Sequence, residues 1–350
     1  MSKLNIKLLS DICAAPGVSG FEVAIRNLVL KSIEGQADEI SVDNVGNVIA
    51  LKKGKSSDKK VMLMAHMDEI GFIVSHIDDG GFIRFQPLGG FDPKTLTAQR
   101  VIIHGKQDTI GVMGCKPIHI MSAKERAETL KITDFFIDTG MKKEEVLKHV
   151  SIGDPITRER DLIEMGDCVN CKSIDNRVSV FVLIELLKQV KSLDYDTYFA
   201  FTVQEEVGLR GAMVATHNIS PDFGINLDTT IAYDVADAKE EEMITKLGHG
   251  TAIKYKDSSV ICDYRMVNFL KGIADKKNIK WQAELLPAGG TDTGYLQRMG
   301  HNGGTIAGAL SIPTRNLHQV IEMAHKEDIQ ATIDLFDACL SEIAGFDWSF

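Results

Sequence analysis

Five residues spread over much of the chain have side chains that bind divalent metals: His66, Asp175, Glu206, Asp228 and His318. Each sits where an apolar, strand-like run meets a small or polar turn. Three carboxylates and two imidazoles are the set a pair of zinc ions needs when one carboxylate bridges them. Glu205 stands beside Glu206 and is free to act as a base. The chemistry these types point to is metal-assisted hydrolysis.

Taken singly, each position also has a plainer reading. In His66-Met67-Asp68 the imidazole and the carboxylate share one face of a strand, so Asp68 could orient the histidine through its second ring nitrogen. They could equally be two polar residues at a strand end. Asp175, in Ser173-Ile174-Asp175-Asn176-Arg177, could be the N-cap of the apolar helix that follows. Glu205 and Glu206 close a hydrophobic strand, and the strand tips of an open α/β sheet are where sites form. Asp228 follows Phe223 to Leu227 in the same way. His318 lies between a strand-like Gly303 to Ile312 and the final helix, a setting also common to ordinary loop histidines.

The elements that must position these residues follow an α/β rhythm. MSKLNIKLLSDI reads as an amphipathic helix with Leu4, Leu8, Leu9 and Ile12 on one face. Val61 to Ala65 is a continuous apolar run, suited to an interior strand covered on both faces. Asn176 to Val190 is predicted helical, Tyr198 to Val203 a strand, Gly211 to His217 a short helix and Phe223 to Leu227 a strand. Ile329, Ile333, Phe336, Leu340 and Ile343 recur at helical spacing near the end. Between about Gly71 and Asp161 the texture changes to short strand-like runs punctuated by glycine and proline, for example Phe82 to Phe85 and Ile110 to Met113. That predicts a small β-rich domain inserted into the first.

Composition narrows the function classes. The formal charge of −10 without a basic block argues against nucleic acid or an anionic membrane surface as partner. No stretch is apolar and long enough for a membrane span. The first residues lack a signal-peptide pattern, and the six cysteines are too few for a disulfide scaffold, so a cytoplasmic, reducing setting is expected. Cys168 and Cys171 form a lone C-x-x-C, without the second pair of a structural zinc site.

Five motifs in order add a resemblance: AHMDEIGF at 65–72, GGFDPKTL at 89–96, SIDNR at 173–177, TVQEEVGLRGA at 202–212 and GGTDTG at 289–294. They resemble the TET-type aminopeptidases, the glutamyl and deblocking aminopeptidase family of di-zinc exopeptidases, over nearly the whole chain. The resemblance implies one metal on His66, Asp175 and Asp228 and a second on Asp175, Glu206 and His318. Glu205 would be the general base and Asp68 the partner of His66. It implies a phosphorylase/hydrolase-like three-layer α/β catalytic domain (1–70 and 162–350) interrupted by a β-barrel, PDZ-like dimerisation domain (71–161). The expected activity is removal of N-terminal residues from peptides with a free N-terminus. The metals would be zinc, with cobalt or manganese as alternatives, and the assembly a homo-oligomer of dimers built into a dodecamer. Ser179 and Gln319 depart from the family pattern at positions that are not ligands. A deacylase acting on N-acylated amino acids or peptides shares the same ligand logic and is the alternative. A glycosidase fits poorly, because its two carboxylates must flank a bond at about 5–9.5 Å and Glu205 and Glu206 are neighbours on one tip.

Overall fold

The structure, a computed structural model, describes residues 4–301 and 303–350; the first three residues of the expected N-terminal helix lie outside them. The chain opens with α1 (Ile6–Ala14) and α2 (Val23–Ile33), then β1 (Glu39–Val42), β2 (Val48–Lys52) and β3 (Ser56–His66). The next strands are β4 (Gly71–Ile77), β5 (Ile83–Leu88), β6 (Arg100–His104) and β7 (Asp108–Gly114). The short helix α3 (Ala123–Ala127), β8 (Phe136–Asp138), α4 (Lys143–His149) and β9 (Pro155–Arg158) follow. Then come β10 (Ile163–Met165), β11 (Cys168–Cys171), α5 (Ile174–Gln189), β12 (Tyr195–Thr202), α6 (Arg210–Ile219) and β13 (Phe223–Ile231). The last elements are β14 (Thr251–Lys256), α7 (Tyr264–Lys277), β15 (Trp281–Leu285), α8 (Thr293–Arg298), β16 (Ile306–Arg315), β17 (Glu322–His325) and α9 (Lys326–Glu342).

Eleven strands make one mixed sheet in the order β1-β2-β12-β3-β13-β16-β17-β11-β10, with β14 joined to β16 and β15 to β14. Its centre, β12-β3-β13-β16, is parallel. Strand β3 shows why the run Val61 to Ala65 has no polar interruption. Val61, Leu63 and Ala65 pack in the cluster that contains α5, whereas Met62 and Met64 pack with Ala212, Ala215 and Leu296 from α6 and α8. Both faces are covered, the usual state of a parallel sheet between helical layers. Helix α5 is buried nearly all round, as a helix with apolar residues on every side must be.

Strands β4-β5-β8-β7-β6-β9 close a barrel with an apolar core of its own, including Phe72, Val74, Ile83, Val101, Ile103, Ile137 and Ile156. Here the alternating runs of the sequence fold as a half-buried antiparallel sheet, as period-two patterning dictates. The barrel meets the large sheet at Gly71. A Cβ there would stand 2.1 Å from Val18 Cγ1 and 2.6 Å from Ile156 O, so only glycine admits this approach. Among the described residues no helix is long and apolar enough to cross a membrane.

Candidate metal centre

Parallel pairing aligns the first two contributors. His66, the last residue of β3, lies opposite Thr202, the last of β12. The chain beyond β12 therefore carries Glu205 and Glu206 alongside the histidine. Asp228 differs from the expectation that it follows its strand: β13 runs on to Ile231. The reason is unequal pairing. Strand β16 accompanies β13 up to Ile231, but β3 accompanies it only through Asn226. A gap opens on the β3 side just before Asp228, and the carboxylate faces it.

Asp175 is not used as a helix cap. Ser173 occupies the cap position in a left-handed conformation (φ 60°), and Asp175 itself is non-helical. Its backbone N–H donates to Glu322 Oε2 at 3.0 Å, and Asn176 Nδ2 donates to Leu227 O at 2.9 Å. These bonds tie the start of α5 to β17 and to the residue before Asp228. The other Glu322 oxygen accepts from His318 N at 2.9 Å. One buried carboxylate thus positions both Asp175 and His318. His318 is itself at φ 62°, with its carbonyl accepting from Arg158 Nη1 at 3.2 Å and its Nδ1 3.1 Å from Gly90 O.

Asp68 lies past the end of β3. Its Oδ1 is 3.4 Å from His66 Nδ1, and its own carbonyl is at 3.2 Å from the same nitrogen. The carboxylate also accepts the backbone N–H groups of Glu205 (3.0 Å) and Glu206 (3.2 Å) and the Ser19 hydroxyl (2.6 Å). Glu22 Oε1 accepts from Gln204 N at 3.2 Å. Two carboxylates therefore fix the loop that carries the glutamate pair.

The result is a cluster around Asp175. Its Oδ1 is 3.3 Å from His66 Nε2 and its Oδ2 is 3.3 Å from His318 Nε2. His66 Nε2 is also 3.7 Å from Asp228 Oδ1, and His318 Nε2 is 3.6 Å from Glu206 Oε2. Ligand atoms of His66, Asp175 and Asp228 lie within 4.8 Å of one another, as do those of Asp175, Glu206 and His318. A third such set, His66, Glu205 and Glu206, overlaps both, with Glu205 Oε2 3.9 Å from His66 Nε2. All seven residues named from the sequence are brought into one cleft or its wall.

The electrostatics are those of acids crowded without enough partners. Burial, with Asp228, Glu206 and Asp292 nearby, holds the Glu205 carboxyl well above the usual range. Burial and Asp175 push Glu206 up to about 8, and burial with Asp175 pushes Asp228 to about 8. The histidines move the same way: burial would lower His318, but Glu206 and Asp175 outweigh it and raise it to about 10. Asp175 is the exception. Burial is outweighed by His318 and His66, and its carboxyl is depressed. Asp175 Oδ1 and Glu206 Oε1 are buried with no hydrogen-bond partner. Buried carboxylates without partners and imidazoles facing them are what a divalent cation relieves, and this donor set fits one.

Sequence reasoning did not single out Glu322, Ser19, Glu22 or Asp292. Asp292 is fully buried, accepts from Thr202 Oγ1 at 2.6 Å and is pushed by burial to about 6. Its motif, GGTDTG, was the one available signal. Glu322 sits on a four-residue strand with no pattern to separate it from a surface glutamate.

A family model described as M42 glutamyl aminopeptidase matches residues 46–335. The lysyl aminopeptidase of Pyrococcus furiosus is 34% identical over 352 residues, covering 98% of this chain and 99% of that one. A TET aminopeptidase structure from the marine sediment archaeon Thaumarchaeota archaeon SCGC AB-539-E09 superposes with a TM-score of 0.93 at 32% identity, over 98% of each chain. The TET1 peptidase of Pyrococcus horikoshii, which can assemble into a tetrahedron or a large octahedral shell, superposes with a TM-score of 0.84 at 32% identity, covering 96% of this chain and 98% of that one.

Proposed function

This chain belongs to the M42 glutamyl aminopeptidase family, and on that premise we propose that it is a metal-dependent aminopeptidase that removes N-terminal residues from peptides. Two divalent cations, zinc by donor type, would be held one by His66, Asp175 and Asp228 and the other by Asp175, Glu206 and His318. The observation that carries this reading is Asp175, whose two oxygens each face a different histidine at 3.3 Å. A carboxylate so placed belongs to both donor sets.

Cations held there would supply Lewis acidity, the chemistry that polarises a carbonyl and brings the pKa of water toward about 7. The remaining work belongs to the chain. Glu205, buried with its Oε2 3.9 Å from His66 Nε2, takes the proton from the attacking water and returns it to the leaving amine. Asp68 holds the Glu205 and Glu206 backbone through their N–H groups and keeps His66 in orientation, so the base stays beside the donors. The acidic surroundings of the cleft favour a substrate with a free, protonated N-terminus. Similarity to a shell-forming peptidase supports a homo-oligomer, with dimers built into a dodecamer as the form we assign. We assign the barrel, within 71–161, to subunit pairing.

Glu205→Gln tests the base. The variant is expected to bind zinc in the same amount as the wild type while turnover of an aminoacyl-p-nitroanilide falls by roughly 10²–10⁴-fold. Undiminished turnover would remove Glu205 from the role. Release from free-amine substrates that chelation abolishes, and none from N-acetylated ones, separates the aminopeptidase from a deacylase.

A further inference from the structure

Beyond the donors, the cleft continues as a cavity of about 620 Å³ whose outer wall carries Leu209, Ile231, Leu286, Ala288 and Leu317. Apart from the donor set and Glu205, no described side chain lining it bears a charge. Two buried cations stand near the donors without lining the cavity: Arg158, whose Nη1 donates to His318 O at 3.2 Å, and Lys254, with no exposure, occupied by Glu284 and by Asp257 at 3.3 Å. The two acids are equally hidden.

Two of the three threonines of the wall turn their hydroxyls into the protein. Thr230 Oγ1 donates to Glu284 at 2.8 Å, and Thr291 Oγ1 is 2.9 Å from both Asp257 Oδ2 and Thr293 Oγ1. With these two hydroxyls committed to the protein, Thr230 and Thr291 offer a ligand mainly methyl surface, and among the described lining threonines only Thr229 keeps a hydroxyl without a partner. Leu209 adds a second kind of evidence. It holds a left-handed backbone conformation (φ 58°, ψ 33°), rare for a bulky residue and persistent only where the surroundings enforce it. Here its N–H donates to Glu205 O at 2.9 Å, which fixes an aliphatic side chain beside the glutamate pair. Ile231, three positions after Asp228 on β13, remains 39% exposed at the mouth.

We propose that this cavity receives the side chain of the substrate's N-terminal residue and selects a neutral aliphatic one of leucine size. Glutamate would meet no free cation there, and lysine no exposed carboxylate beyond the donor set, so each would be buried without a partner. The preference thereby departs from the lysyl and glutamyl activities named for this chain's relatives. The proposal rests on the aminopeptidase reading and specifies its substrate.

The test uses the assembled, zinc-loaded protein with the p-nitroanilides of leucine, alanine, glutamate and lysine. Leucine is expected to exceed alanine in kcat/KM by roughly tenfold or more and the charged residues by roughly 100-fold. Calorimetry with free L-leucine, L-glutamate and L-lysine should give the same order without turnover. Ile231→Lys places a cation at the exposed mouth, where folding is least at risk, and should raise the glutamate-to-leucine ratio by roughly tenfold. Equal or better use of glutamate or lysine overturns the proposal alone, as does an unchanged ratio in Ile231→Lys. Cleavage confined to N-acetylated anilides overturns the aminopeptidase reading and this preference with it.

Discussion

Glu69 and Asp175 both carry a carboxylate into the interior near the carboxyl end of β3, and they meet opposite company. Glu69 accepts from Lys172 Nζ at 2.7 Å and from the Ser173 hydroxyl, and Arg177 Nη2 lies 3.4 Å away. Arg177 in turn donates to Ile12 O at 2.6 Å and Ala15 O at 2.8 Å. Burial would raise Glu69, but Lys172 and Arg177 outweigh it and its carboxyl is depressed. Asp175, which lies between Ser173 and Arg177 in sequence, shares its cluster with Glu205, Glu206 and Asp228 and no lysine or arginine. One set of charges is closed by the protein itself and clamps the turn before α5. The other is left open to a ligand and depends on the first for its geometry. A buried acid is therefore evidence of a site only after its partners are counted.

The largest expected effect separates the two sets on stability. Glu69→Ala leaves Lys172 and Arg177 buried without their carboxylate and should cost about 3–5 kcal/mol in a urea titration of chelated protein. A loss under about 1 kcal/mol would mean the first set is not the framework. Next in size is the response to cations. Zinc at about 100 times its Kd should stabilise the wild type by about 2.7 kcal/mol, whereas Asp175→Asn should lose most of that gain while its chelated form is no less stable than wild type.

The smallest effect is a slope with pH. In chelated protein Glu206 and Asp228, raised to about 8, and His318, raised to about 10, hold protons that the unfolded chain has released. The folded state binds more protons, so these groups contribute stability at low pH that is lost as pH rises from about 5 to 10. A cation competes with the same protons, so its stabilising effect grows over that window. Urea midpoints across it, with chelator and with saturating zinc, should diverge; a chelated protein that gains stability with pH would contradict the open cluster.

Much of this was legible in the sequence because strand ends in a parallel sheet are marked by apolar runs that stop. Val61 to Ala65 announced His66, and Tyr198 to Val203 announced the glutamate pair. Asp228 was found by the same rule although β13 continues past it, since what matters is where its neighbour β3 stops pairing, and register is invisible in one strand. Asp175 read equally well as a cap, because a helix N-terminus gives no sign of which way an aspartate turns. Glu322 was illegible, since its two backbone acceptances join segments that only the fold brings together. The lining of the cavity beyond the donors was hidden for the same reason: Leu209, Ile231, Leu286 and Leu317 are ordinary apolar residues until the end of β13 and three other segments converge.

The order of the donors along the chain also sets a timetable for biosynthesis. His66 is made early, but its neighbour strands β12 and β13 come well over a hundred residues later, and β16, which leads to His318, is later still. A growing chain folds largely from its N-terminal side, so the barrel, drawn from one continuous stretch, can close on the ribosome long before the donors meet. The cluster is thus completed only at the end of synthesis, and a chain that stops before His318 would lack one of the two imidazoles that face Asp175.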